Sequence, residues 1–219
     1  MAQHLDLEEQ EQLDQLKAFW ATWGTLISIV LIIVFGGFAA WNGYQYWQNR
    51  QAAQAAALSD AVDAAIAVRD TARIEQAFND LKTNYGGTVQ AGLAGLQTAK
   101  ALVDAGKLDE AKAALTWVAD SAADPGHQAI ARLRLASLLA QQQKYDEALQ
   151  RLTGNLPPEF EAAANDARGD VYALQGKKAE AIAAYQQAYQ RFDADLEYRR
   201  LVEAKLNALG AQPQQGEKK

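Results

Sequence analysis

Cysteine is absent from this chain, which removes disulfides, thiol nucleophiles and thiolate metal sites at once. Histidine occurs only at positions 4 and 127. Four prolines and 15 glycines in 219 residues are too few for a loop-rich or low-complexity protein. Basic residues are the minority: 21 Lys and Arg stand against 27 Asp and Glu, for a net charge of -6 and a pI near 5.0. Phosphate neutralisation needs a basic face, so a general nucleic-acid binder is excluded. The mean hydropathy of -0.27 is that of a soluble globular chain. It conceals the most informative absence, because no charged side chain occurs between Lys17 and Arg50.

Within that gap, residues 23–41 read WGTLISIVLIIVFGGFAAW and hold ten Leu, Ile, Val or Phe residues. Nineteen helical residues rise roughly 28 Å, close to the roughly 30 Å of a bilayer's hydrocarbon core. Those ten residues favour insertion by roughly 3 to 6 kcal/mol, against modest costs at Thr25, Ser28, Gly36 and Gly37. Aromatic residues mark both edges, with Phe19, Trp20 and Trp23 on one side and Trp41, Tyr44, Tyr46 and Trp47 on the other, as membrane-interface belts do. A cleaved leader would begin with a basic segment, whereas Asp6, Glu8, Glu9, Glu11 and Asp14 face a single Lys17, although the small residues at 53–57 offer a peptidase a site. A buried core helix seldom lacks charge for so long. The expectation is an acidic tail over 1–22 and one transmembrane helix with its interfacial aromatics over 23–47, in contact with membrane lipid. Lys17 before the span and Arg50 after it are a tie that the positive-inside rule does not break. Gly36, Ala40 and Gly43, at i, i+4 and i+7, form a small-residue stripe suited to helix packing in the membrane.

Residues 48–210 read as an all-α domain, rich in Ala, Leu, Gln, Glu and Lys, with apolar positions recurring at three and four. Three segments superimpose: AKALVDAGKLDEAKAAL from Ala99, ASLLAQQQKYDEALQRL from Ala136 and GDVYALQGKKAEAIAAY from Gly169. Their equivalent alanines, Ala111, Ala148 and Ala181, lie 37 and 33 residues apart, and Ala77 lies 34 before Ala111. A period near 34 predicts stacked helix pairs. The last copy carries a small residue at Gly169, an aromatic at Tyr172, a turn glycine at Gly176, and then Ala181, Tyr185 and Ala188, which resembles the tetratricopeptide repeat. The second copy has Gln143 in place of the turn glycine, and Asn155, Pro157 and Pro158 end its second helix early. Residues 195–210 predict an amphipathic capping helix whose outer side carries Arg199, Arg200, Glu203 and Lys205. Residues 211–219 have nothing to bury and are expected to be disordered.

No catalytic, cofactor-binding or metal-binding constellation is present. The pairs Asp109/Glu110 and Asp146/Glu147 sit where the second helices begin and favour the helix dipole. His127, next to Pro125 and Gly126, reads as a surface turn residue, and His4 lies in the acidic tail. Stacked repeats offer a surface for a peptide or partner helix, for which Arg132 and Arg134 on a first helix are the candidate contacts, while Tyr172 reads as core.

The order of features is also informative. An acidic tail, a span ending in Trp41, Tyr44, Tyr46 and Trp47, an Ala/Gln-rich helix, Tyr-Gly-Gly-Thr at 85–88, degenerate repeats and a terminal KLNAL together resemble the YfgM family, ancillary subunits of the bacterial SecYEG translocon. The resemblance covers roughly residues 10 to 210. It implies a non-enzymatic, single-pass inner-membrane protein with a cytoplasmic N-terminus and a periplasmic repeat domain. Its partners would be SecYEG, the membrane-anchored periplasmic chaperone PpiD and newly translocated polypeptides. From the residues alone, a membrane-tethered scaffold with a cytoplasmic repeat domain remains the alternative.

Overall fold

The computed structural model describes residues 7–154, 156–193 and 197–213. His4, Asn155, the start of the capping segment at Asp195 and Leu196, and most of the expected disordered tail lie outside them. Among the described residues there are nine α-helices and no strand: α1 (Leu7–Ala67), α2 (Thr71–Tyr85), α3 (Val89–Asp104), α4 (Leu108–Ser121), α5 (Pro125–Gln141), α6 (Tyr145–Arg151), α7 (Glu161–Leu174), α8 (Lys178–Arg191) and α9 (Glu197–Ala208). The chain divides into two compact units, 1–50 and 51–219. Helix α1 has no break at residue 22 or 47, where the sequence pattern changes character.

The described residues of the first unit belong to one helix, α1, which is polar and acidic up to Lys17 and apolar beyond it. Its best 18-residue window has a mean hydropathy of 2.2 and is only 6% buried, long and apolar enough to cross a membrane. Ile32 and Ile33 are 71% and 68% exposed. In water each such side chain forgoes about 1.5–3 kcal/mol of burial, which a hydrocarbon environment returns. The polar side chains near the ends are satisfied within the helix. Thr22 Oγ1 donates to the Ala18 carbonyl (2.9 Å) and Asn42 Nδ2 to that of Phe38 (2.8 Å), as a medium without water requires.

In the second unit, successive helices form hairpins. The first helices contact one another, α3 on α5 and α5 on α7, and the second helices meet through the edge-on contact of Phe78 on α2 with Trp117 on α4 (5.5 Å). One apolar cluster runs from Val62 through Phe78, Leu96, Leu115, Val118 and Leu135 to Leu152 and Val171. A second, built on Ala181, Tyr185, Ala188, Val202 and Leu206, closes the last hairpin against α9. Many core positions are alanine, so neighbouring backbones approach closely and local glycines become space-limited.

Helix α6 has only seven residues and ends at Arg151, before the prolines that the sequence pointed to. Leu156 and Phe160, from the following segment and its single 3-10 turn (Pro158–Phe160), pack on Ala129, Leu133 and Ala164.

Candidate interaction surface

The hairpins share one turn, and the turn explains the repeat spacing. Gly106, Gln143 and Gly176 each adopt positive φ (75°, 61° and 72°). Their amides donate to the carbonyl three residues back (Val103, Ala140, Ala173), and the next amide reaches five back: Lys107 to Leu102, Lys144 to Leu139, Lys177 to Tyr172. This pair of bonds satisfies carbonyls that a helix end would leave open. Five residues after each turn residue comes the fully buried Ala111, Ala148 or Ala181. The first hairpin keeps the geometry with Arg69 (φ 57°), whose amide reaches Ile66 while that of Asp70 reaches Ala65. Five residues on stands the buried Ile74, and half-buried Ala77 follows three residues later.

Helix starts divide by type. Asp70, Thr88 and Asp124 cap α2, α3 and α5, accepting from the amides of Arg73, Ala91 and His127. Helices α4, α6 and α8 have Lys107, Lys144 and Lys177 at the N-cap position, where the side chain supplies no cap bond. There Asp109/Glu110, Asp146/Glu147 and Glu180 occupy the first turn, and their charge favours the open amides.

Close packing marks two glycines. A Cβ on Gly169 would lie 2.4 Å from two ring carbons of Tyr185, and one on Gly95 would lie 2.4 Å from Val118 Cγ2. Tyr185, Ala181 and Ala188 are buried, and half-buried Tyr172 packs against their cluster. Arg132 and Arg134 reach neighbouring helices: Arg132 Nη2 donates to the Ala119 carbonyl (3.5 Å) and Arg134 Nη1 to that of Leu96 (3.3 Å). Arg168 does the same with two bonds to the Leu152 carbonyl (3.3 and 2.9 Å). These guanidiniums tie adjacent hairpins together while staying partly accessible. His127 lies in the first turn of α5 and not on an exposed turn; its side chain is 17% exposed and packs on Gly92, because the small residue there leaves room for the ring.

The sharpest chemistry is at the capping helix. Lys205 turns inward, contrary to the expectation of a polar outer side, because two carboxylates on α7 await it. Its Nζ donates to both oxygens of Asp166 (2.8 and 2.9 Å) and pairs with Asp170 at 2.7 Å. Tyr198 Oη donates to Asp166 (3.1 Å) and Tyr185 Oη to Asp170 (2.7 Å). The Asp166 side chain is 3% exposed. Burial pushes its carboxyl above the usual range, opposed by the bonds and charge of Lys205. Burial draws Lys205 down, yet its bonds to the two carboxylates outweigh that and leave it above its ordinary value. Burial and then Asp170 hold the Tyr185 phenol well above its ordinary value. Arg199 also turns inward, its guanidinium 4.2 Å over the Tyr189 ring. Among the described residues no group of three or more His, Asp or Glu is placed to hold a metal ion.

Exposed surface of the first helices includes Val89 and Leu93 on α3 and Leu174 on α7. A cleft of about 510 Å³ between the end of α1, α2 and α3 is lined by Asp63, Ile66, Arg69, Ile74, Gln97 and Lys100, among others. In the apolar helix, Gly36 and Gly43 face open space, and Trp20, Trp23, Trp41, Tyr44, Tyr46 and Trp47 are all exposed.

A family model described as a tetratricopeptide repeat-like domain matches residues 17–211. An ancillary SecYEG translocon subunit of Neisseria gonorrhoeae is 36% identical over 152 residues, which is 69% of this chain and 73% of that protein. The chain belongs to the YfgM family. The match begins at Lys17, ahead of the apolar segment, so the family pattern takes in the long helix as well as the repeats. The relative is named as a translocon subunit, a non-catalytic kind of protein.

Within this YfgM-family chain, sequence reasoning missed Gly95, Ile74, Asp166, Asp170 and Lys205. For Gly95 a signal existed, since it lies in a glycine- and alanine-rich helix; Ile74 had none, because the turn residue five positions ahead of it is Arg69 and not a glycine. Asp166 and Asp170 are one turn apart on α7, like countless solvated pairs, and only the arrival of α9 makes them a site.

Proposed function

We propose that this protein is an inner-membrane-anchored ancillary subunit of the Sec translocon, with the segment before the span in the cytoplasm and the repeat domain in the periplasm. There the repeat domain works with a membrane-anchored chaperone of the PpiD kind and with newly translocated polypeptides. The observation that carries this reading is the 36% identity to a named translocon subunit in a chain that joins one exposed apolar helix to a helical-repeat domain. Physically, the apolar helix gives lateral confinement in the bilayer, and confinement near a translocon raises the effective concentration of the repeats at its exit. The stacked first helices supply the binding face: Leu93 on α3 and Leu174 on α7 are exposed apolar side chains, and Arg132 and Arg134 on α5 remain partly accessible. Gly36, Ala40 and Gly43 are the proposed contact of the span with another membrane helix.

Protease added to spheroplasts with an intact inner membrane tests the orientation. Digestion of residues 51–213 is expected, and protection would assign the domain to the cytoplasm, as a scaffold there requires. Crosslinking in intact membranes tests the assembly: recovery of translocon subunits is expected, and their consistent absence would overturn it.

A further inference from the structure

Helix α9 is held differently from every other helix of the repeat unit. Among the described residues, the buried carboxylate of the repeat unit is Asp166, and its partner comes from the terminal helix. Only two α9 side chains are fully buried, Val202 and Leu206. The rest of the contact is polar or aromatic: Lys205 between Asp166 and Asp170, Tyr198 bonded to Asp166 and packed on Phe192 (5.1 Å), and Arg199 over Tyr189 with its Nε buried and unpartnered. A buried ion pair contributes little net stability, because desolvation cancels most of the attraction, but it selects strongly for a partner of the right charge in the right register. The site also holds two carboxylates against one ammonium, and the Asp170 side chain is still 48% exposed.

We infer that the end of the repeat stack, formed by α7 and α8, is a docking site for a lysine-bearing amphipathic helix of a partner protein, and that α9 fills this site in cis until such a helix displaces it. The seated α9 defines the partner's chemistry: an aromatic residue at i, aliphatic residues at i+4 and i+8, and a cation at i+7, matching Tyr198, Val202, Leu206 and Lys205. An arginine at i+7 suits the two carboxylates as well, since its planar fork can engage both. This site is built on α7 and α8 side chains other than those named for the first-helix surface, and the inference does not depend on that reading. The docking mode is a helix laid against a groove, with the charge fixing its register.

The test uses the full chain in detergent micelles and a fluorescently labelled peptide of residues 197–211 as the probe. In the wild-type chain α9 competes at high effective concentration and the peptide binds weakly. Lys205→Met in the chain strands the buried carboxylates and loosens α9, so this variant is expected to bind the wild-type peptide at least ten-fold more tightly. That gain is expected to vanish when Asp166→Asn and Asp170→Asn are added to the chain, or when the peptide carries Lys205→Ala. A Lys205→Met chain that keeps wild-type helical content and a cooperative melt yet gains no affinity overturns the inference, as does a gain indifferent to the two Asp→Asn changes. Should Lys205→Met fail to fold, hydrogen exchange on the wild-type chain decides. Amides of α9 exchanging well before those of α7 and α8 support displacement, and exchange together with α8 refutes it. Concentration-dependent dimerisation of the wild-type chain, with Lys205 of one copy crosslinked to Asp166 of another, would assign the site to a second copy and overturn the heterotypic partner.

Discussion

Adding one methyl group at Gly169 pits two rules against each other. Alanine in a helix interior is favoured over glycine by about 1 kcal/mol. At Gly169 the new Cβ would lie 2.4 Å from Cδ1 and Cε1 of Tyr185 and 2.9 Å from its Cζ. The ring cannot slide away freely, because it is 3% exposed, its hydroxyl is tied to Asp170 at 2.7 Å, and Lys205 stands 5.4 Å above it. Overpacking of this kind costs about 1–3 kcal/mol, and displacing the ring would weaken a hydrogen bond worth about 1 kcal/mol. The expected net loss for Gly169→Ala is about 1–3 kcal/mol. For a chain of this size that lowers the melting temperature by about 2–12 °C, measurable by far-ultraviolet circular dichroism of the full chain in detergent. The Tyr185→Leu background supplies the control: without the ring, the same methyl should be neutral or stabilise by up to about 1 kcal/mol. A Gly169→Ala chain that melts at or above the wild-type temperature, or that shows no coupling to Tyr185, would refute the close-approach account of this repeat position.

Gln143 holds a left-handed backbone without glycine's freedom, so Gln143→Gly is expected to stabilise the chain by about 1 kcal/mol in urea titration, less whatever glycine costs in the unfolded state. The cap should weaken in alkali: Lys205, Tyr185 and Tyr198 all have folded values raised above their ordinary ones, so their contributions are complete below about pH 10 and are lost as pH rises through the raised values. Melts between pH 9 and 12 should show this decline, and Tyr185→Phe with Tyr198→Phe should flatten part of it. Acid acts in the opposite sense at Asp166, whose raised value makes its own contribution more favourable as pH falls through that value toward the unfolded one near 3.9; comparing wild type with Asp166→Asn between pH 7 and 4 reads the difference. In the span, Ile32→Lys at the centre should cost about 2.5–3.5 kcal/mol of insertion free energy, seen as loss of the membrane fraction on carbonate extraction.

The repeat spacing, the long apolar helix and the end of the helical region were legible in the sequence because each rests on local chemistry. Ten aliphatic or Phe side chains in nineteen residues have one comfortable environment, and a turn glycine five residues ahead of a small residue marks a hairpin in any context. The family was legible for a related reason, since the order of weak features along the chain is itself local information. In the first hairpin the repeat spacing points to Ala77, three residues past the structural equivalent Ile74, because Arg69 does the work of a glycine there and leaves no compositional trace. His127 was placed on a surface turn because proline and glycine precede it; the structure draws it into α5, against a glycine 35 residues earlier in the chain.

What the sequence by itself determined was therefore the apolar helix, the helical hairpins and their period. Tertiary structure alone decided which charges are buried. Lys205 is as polar in composition as Arg200, and Asp166 as Asp109, yet one pair is withdrawn from water and the other residues remain outside it. The reason is that an ion pair between α7 and α9 joins residues 39 positions apart, and no periodicity within either helix records where the other will come to rest.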